Sequence, residues 1–468
     1  MEGLEIAETK LSNITNVIDY RIEAEYFSSK FLLNDKKLAT IKTHPFMEVA
    51  TFINGRPYAS ESFNYYTTGV RIAKIGDVTN KRDIDSWEFI DIDEFNYQKG
   101  QLLTSGDILM TLTGDPPDIG KVNYIDDPIN ASWNQRVARV RLIPEQKYYI
   151  GNDVLYIILS TEIVRIQLER YAKGIRQRNL GNESLDRLLL PDLSYELQLS
   201  MQNCVKQIYL NYNHSKCLYT EAMNILLDNL KIKDCNLADS SPSIKSVKDS
   251  FVTSGRLDAE YYQPKYDEII RTISQYPYGH DKIGNLYILR DKNFLPDNNT
   301  RYKYIELSDI GVNGEISGST YEYGSNLPSR ARRVVHTGDI IISSIEGSLQ
   351  SCAIITEEYD GALCSTGFYV LSPRSINSET SLVLFKSAMI QTLLQRACTG
   401  TILTAINKEE FVNISLPIID NDTQNSIAVI IKRSTSLRQE SKRLLNLAKT
   451  VVETAIEQGE SAAMELLN

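Results

Sequence analysis

Two short stretches carry side chains of the kind that read the edges of DNA bases. Asn134, Gln135 and Arg136 stand together in NQRVARVRL, and amide and guanidinium groups bond adenine and guanine edges two at a time. KGIRQRN supplies Lys173, Arg176, Gln177, Arg178 and Asn179, a basic cluster with two amides that suits phosphate contacts. Each stretch reads equally well as a polar strand end or a solvated loop. A third stretch, GTILTAINK, offers Thr401, Thr404, Asn407 and Lys408 and is much less basic. The run SRARR at 329–333 carries the ordinary reading of a solvated face.

Other tempting chemistry fails on its own terms. In TGDPPDIG, Asp115, Pro116 and Pro117 are similar to the tetrad with which amino-methyltransferases hold a target base. The fourth residue of that tetrad must stack on the flipped-out base, and Asp118 cannot stack. There is also no glycine-rich turn of the type that holds that enzyme class's cofactor. The four histidines have no ligand spacing, and the six cysteines are scattered without CxxC pairs. The carboxylates Glu23, Glu25, Asp258 and Glu260 lie in a phrase that the chain repeats, RIEAEYF and RLDAEYY, which favours shared scaffold over a site. The reading is that this chain has no catalytic and no metal site.

What must position the polar stretches is a duplicated fold. RIEAEYF recurs as RLDAEYY 235 residues later, KIGDV as ELSDI and SGDILMT as TGDIIIS 232 later, and NQRVARVRL lies over STGFYVLSP at 231. Leu168, Arg170, Gly174, Leu190, Pro191 and Gln198 then match Leu394, Arg396, Gly400, Leu416, Pro417 and Gln424, all 226 apart. A slowly shrinking offset is what small loop deletions leave; unrelated coincidences would scatter. Two similar domains in pseudo-twofold relation follow.

Each half should open on a helix bearing the repeated phrase, with Leu257, Tyr261, Tyr266 and Ile270 at helical spacing. Short strands come next, the Gly-Asp turns leading into the strands ILMT and IIIS. A helix should then end at Gly174 or Gly400 in a left-handed cap, before a strand that reaches Pro191 or Pro417. Beyond those prolines lie long amphipathic helices, with Leu197, Met201, Val205, Ile208, Tyr212, Ala222, Ile225 and Leu226 in the first. Ile427, Ile430, Ile431, Leu437, Leu444, Leu447, Val451 and Ala455 form the second stripe, and antiparallel pairing would bury both. The fold expected is α/β: globules at 1–192 and 251–418, spacer helices at 193–233 and 419–468 that pair as an antiparallel coiled coil, and a linker at 234–250.

Composition narrows the class. At 468 residues, 42% hydrophobic and 24% charged, the chain reads as an ordinary multi-domain globular protein. No stretch has the apolar length of a membrane span, and the acidic start MEGLEIAETK is unlike a signal peptide. A cytoplasmic location with reduced thiols is expected. The net charge of -10 argues mildly against nucleic acid coating the whole surface, and leaves room for a local DNA cleft.

The ordered set of RLDAEYYQPKYDEI and its copy, the two GDI strands, the glycines at 174 and 400, and the LLLP and ISLP approaches resembles the specificity (S) subunits of type I restriction-modification enzymes. The resemblance covers nearly the whole chain. It implies two target recognition domains that read an asymmetric, bipartite sequence in double-stranded DNA, with the helices as ruler. It also implies two methyltransferase (M) subunits and restriction (R) subunits as partners in phage defence. S-adenosylmethionine, ATP and magnesium would belong to those partners, with no cofactor in this chain. The competing readings are a stand-alone DNA methyltransferase or nuclease, and a scaffold that organises partners without reading DNA.

Overall fold

A computed structural model describes residues 7–10, 23–64, 68–79, 84–115, 118–127, 130–174, 177–231, 244–252, 255–256, 258–399 and 404–467. The chain divides into two units, Met1–Tyr212 with Gln439–Asn468, and Asn213–Arg438. Much of the expected linker, at 234–243, lies outside the described residues.

The first unit opens with a 3-10 turn, Ala24–Phe27, followed by α1 (Ser29–Leu38) and the strands β1 (Thr43–Pro45), β2 (Ala50–Asn54), β3 (Val70–Ala73) and β4 (Phe89–Ile90). Next come β5 (Ile108–Thr111), β6 (Thr113–Gly114), β7 (Val122–Tyr124), β8 (Ala131–Trp133) and β9 (Val137–Leu142). Helices α2 (Asn152–Leu159) and α3 (Glu162–Tyr171), then β10 (Arg178–Asn179) and β11 (Leu189–Pro191), lead to the long helix α4 (Tyr195–Asn229). The main sheet runs β2-β9-β5-β7, and a second one β4-β3-β8 with β3 and β8 parallel.

The second unit repeats this plan. After the 3-10 turn Ala259–Tyr262 come α5 (Pro264–Ser274), β12 (His280–Lys282), β13 (Tyr287–Leu289), β14 (Arg301–Ile305), β15 (Thr320–Tyr323) and β16 (Ala331–Val334). Then follow β17 (Ile340–Ser343), β18 (Cys352–Ile354), β19 (Leu363–Ser365), β20 (Phe368–Pro373), α6 (Ser378–Lys386) and α7 (Ala388–Arg396). β21 (Cys398–Thr399), β22 (Ala405–Ile406), α8 (Lys408–Asn413) and β23 (Ser415–Pro417) lead to α9 (Asn421–Gln458). Its main sheet, β13-β20-β17-β18, has the order of the first. The pairing agrees residue by residue: Ile108 faces Val140 and Ile340 faces Leu371, each partner displaced by the offset read from the sequence.

β5 and β17 are buried on both faces, which explains their unbroken apolar spelling. Ile108 and Met110 join a core with Val154 and Ile158 of α2, while Leu109 packs with Trp87 and Trp133. In the second unit Ile340 and Ile342 meet Val383 and Ile390, and Ile341 meets Phe368 and Val370.

The phrases that recur in the sequence are the joints of this scaffold. Gly106 and Gly338 take positive φ of 87° and 86°, open to glycine at little cost. The buried carboxylates of Asp107 and Asp339 then accept from the main-chain N–H of Thr104 at 2.7 Å and His336 at 2.9 Å. Gln198 accepts from Ile150 N–H at 3.0 Å and donates to the Tyr148 and Leu193 carbonyls; Gln424 does the same with Asn377, Ser375 and Ile419. Both glutamines are buried, so these bonds satisfy groups that water cannot reach.

Two local expectations need correcting. The repeated phrase is a 3-10 turn ahead of the helix, which in the second unit begins at Pro264, where the missing N–H costs nothing. Helix α3 stops at Tyr171, three residues short of Gly174. Gly174, at φ 130°, instead turns the hairpin between Lys173 and Asn179, where a Cβ would stand 2.2 Å from the Gln177 carbonyl oxygen. Gly400 lies outside the described residues.

The long helices pair antiparallel within each unit. In the first, the Ser441 hydroxyl donates to the Ile208 carbonyl, and Ser194 N–H bonds Glu460 just beyond α9. In the second, Ser215 meets Ser434 at 3.0 Å, and Asn229 bonds Asp420 and Thr423. The apolar stripe is interrupted by buried Asn211, Ser215, Ser434 and Ser441, which apolar periodicity alone did not reveal. Arg438 donates to Ser215 at 2.6 Å and pairs with Glu315 at 2.5 Å. No helix among the described residues is long and apolar enough to cross a membrane.

Candidate nucleic-acid interface

In each unit, loops far apart in sequence meet at the residue just past the doubly buried strand. In the first, Leu112 N–H donates to the Arg136 carbonyl at 2.9 Å, and the Leu112 carbonyl accepts from Leu180 N–H at 2.8 Å. Thr113 pairs with Asn179 and Gly114 with Arg178, so β6 and β10 join two of the loops directly. The turn 134–136, the bridged residues Lys173 and Asn179, and Gly114 thus share one strand end. In the second, Ser344 N–H donates to the Gly367 carbonyl and its carbonyl accepts from Ile406 N–H, both at 2.8 Å. Ile345 bridges Ala405 as Thr113 pairs with Asn179.

The turns have one geometry and different side chains. Arg136 N–H donates to Asn134 Oδ1 at 3.0 Å; Gly367 N–H donates to Ser365 Oγ at 3.1 Å. Asn-Gln-Arg on one side therefore stands where Ser-Thr-Gly stands on the other.

Among the candidates, Gln135, Arg136 and Gln177 are exposed at this end. Asn134 closes the turn, and Asn179 accepts from Thr113 Oγ1 at 2.8 Å, so both amides have structural work. Arg178 turns back to bond Glu25 of the repeated phrase and the Glu169 carbonyl, with its side chain 17% exposed. Lys173 pairs with Glu183 at 2.7 Å, an exposed contact of small energetic weight. Thr404 bonds Glu346, another loop of the same end. Asn407 caps α8 by accepting from Glu410 N–H at 2.9 Å, and Lys408 pairs with Asp291, whose carboxyl it holds below the usual range. Arg176 and Thr401 lie outside the described residues, as do Pro116 and Pro117.

The run SRARR is the solvated face its composition suggested only at its start, where Ser329 and Arg330 are exposed. It enters β16, where Ala331 is fully buried and Arg332 and Arg333 are half-buried against β19. Sequence reading also passed over Ser365, Thr366 and Gly367, although the 231-residue offset lays them over Asn134, Gln135 and Arg136.

The repeated acidic-aromatic phrase is a clamp. Arg170 Nε donates to the Tyr26 carbonyl at 2.9 Å with its guanidinium 4.3 Å from that ring's centre; Arg396 does so with Tyr261 at 3.1 and 4.1 Å. Arg256 holds the Asp258 carboxyl below its ordinary value, which suits an ion-paired anion rather than a general acid. Burial pushes the Cys352 and Cys398 thiols up to about 12 and about 11, away from nucleophilic use. Among the described residues no three His, Cys, Asp or Glu side chains are grouped to hold a metal ion.

No family model matches the chain, and no curated protein does. Among the solved structures that match, three cover 89% of it. The S subunit of a type I restriction-modification system from M. genitalium is 13% identical, with 95% of that chain covered and a TM-score of 0.35. An HsdS subunit from Thermoanaerobacter tengcongensis is 14% identical, 97% covered, at 0.29. A chain from a structure on the assembly and conformational transition of the type I R-M system is 13% identical, 98% covered, at 0.28. Likeness of this size is no ground for assigning an activity.

Proposed function

We propose that the chain is the DNA sequence-recognition subunit of a type I restriction-modification complex, each unit reading one part of an asymmetric bipartite target. The observation that carries this is the strand end repeated in both units. The same main-chain bonds at Leu112 and Ser344 gather the same loops, while the side chains those loops present differ. A fixed frame with interchangeable exposed side chains is what reading two different base sequences requires. Gln135, Arg136 and Gln177 are the base-reading candidates of the first unit, and Thr366 and Thr404 their counterparts in the second. In this reading the chain is non-catalytic and acts in the cytoplasm, and its long helices dock two methyltransferase subunits and the restriction subunits, which bring S-adenosylmethionine, ATP and magnesium.

The test is binding and modification by the reconstituted complex. Salt-dependent, sequence-selective binding to duplex DNA is expected of the complex, with no methylation or cleavage by the purified chain alone. Methylation or cleavage by the chain alone would overturn the proposal in favour of an unrecognised enzyme, and a complex without sequence preference would leave only a scaffold.

A further inference from the structure

Each reading turn takes one more hydrogen bond, and it comes from outside the repeat. Gln135 N–H donates to the Arg56 carbonyl at 3.0 Å, and Thr366 N–H, at the matching position, donates to the Arg330 carbonyl at 2.8 Å. The two arginines do not match each other in the duplication. Arg56 lies between β2 and β3, whereas Arg330 lies between β15 and β16. Unrelated loops therefore bring the same residue type to the same place, beside turns whose own side chains have all changed.

Both side chains are exposed, Arg330 at 58%. Arg56 donates through Nε to the Lys99 carbonyl at 3.3 Å, and Arg330 lies 3.5 Å from Glu306 and beside the Tyr304 hydroxyl, which raises its pKa further. Exposed pairings of this kind are worth at most about 1 kcal/mol and exchange readily for a stronger partner. A phosphate is such a partner, because the guanidinium fork bonds two of its oxygens at once. The main chain of each arginine is meanwhile pinned to the turn, so that the guanidinium departs from a fixed point.

Resting on the proposed function, we infer that Arg56 and Arg330 are matched phosphate anchors, one per unit, that hold the duplex backbone beside each reading turn. They add affinity for any sequence and leave base choice to the turns. A basic residue at this place is then required of both units, however differently they read.

The test measures binding of the complex, full-length chain included, to a duplex of mixed sequence across a salt series. Arg56→Gln and Arg330→Gln should each lower the slope of log K against log salt by about 0.9, and the double variant by about 1.8. Arg56→Lys and Arg330→Lys, which keep the charge, should retain the slope. The turn bond is made by the main chain, so these variants leave it in place. Unchanged slopes in both Gln variants, with salt-dependent binding by the parent, would overturn the anchors while leaving DNA reading intact. A loss in one variant only would overturn the matching. A parent complex with no salt-dependent binding would remove both the anchors and the proposed function.

Discussion

The two units share their joints and differ in what surrounds them. The buried turn carboxylate is the sharpest case: Asp107 is forked by Arg141, with one bond at 2.9 Å, whereas Asp339 is met by Ser372 at 2.5 Å and more distantly by Arg290 at 3.4 Å. Arg170 adds an ion pair with Asp35 at 2.6 Å, where the second unit has Ile270. The second unit instead buries Lys386, which donates to the carbonyls of Val312 and Gln350 at 2.7 and 2.6 Å and has its pKa lowered by burial. Bonds that close the main chain on itself are retained in both units, while charges have been exchanged freely. Such a division separates a frame from the surfaces it presents.

Unequal support at an equal joint gives the largest expected difference. Asp107→Ala removes the turn bond together with the fork from Arg141, whose side chain is 35% exposed, and should cost the first unit about 2–4 kcal/mol, whereas Asp339→Ala should cost the second about 1–3 kcal/mol. Hydrogen exchange of the β5 and β17 amides reads each unit separately. Equal losses would show that the turn bond dominates and that Arg141 adds nothing.

The glutamine joints should behave alike. Gln198→Ala and Gln424→Ala each remove the bonds to one main-chain N–H and two carbonyls, and each should destabilise its own unit by about 2 kcal/mol. Local exchange at Ile150 and Asn377 checks this, and a twofold disparity in free energy would break the equivalence of the frames.

A smaller effect belongs to one unit only. Lys386→Met should release the segment 311–315 and speed exchange at the Gly311 and Gly314 amides about tenfold, equivalent to about 1.4 kcal/mol. Ser160 stands at the corresponding place in the first unit and donates to the Tyr156 carbonyl of its own helix, at 2.7 Å.

Much of this frame was legible in advance, because it is made of near neighbours in sequence. A Gly-Asp turn bonds three residues back, and a doubly buried strand spells itself in unbroken apolar letters, so both survive duplication recognisably. The helix expected to end at Gly174 was misplaced because a glycine that turns a hairpin and one that caps a helix look alike in sequence. Of the five base-reading candidates proposed, Gln135, Arg136, Gln177 and Thr404 could be named from the sequence, and Thr366 was not. Arg178 and Asn407 were not readable as scaffold, since their partners, Glu25 and the α8 N-terminus, are set by folding rather than by composition. Arg330 was legible only as part of the basic run SRARR and Arg56 not at all, because their equivalence is spatial and falls outside every repeated phrase.

The central claim is that each unit reads its own part of the target through its own turn. It is tested most directly by mapping modified bases in DNA from cells that carry the chain with its companion subunits. The parent chain is compared with one bearing Asn134→Ser, Gln135→Thr and Arg136→Gly, which gives the first unit the second unit's turn. The account predicts a bipartite, asymmetric target in the parent, and in the variant a change or relaxation confined to one part. Alteration of both parts together, or a parent target that is a single continuous sequence, would contradict it.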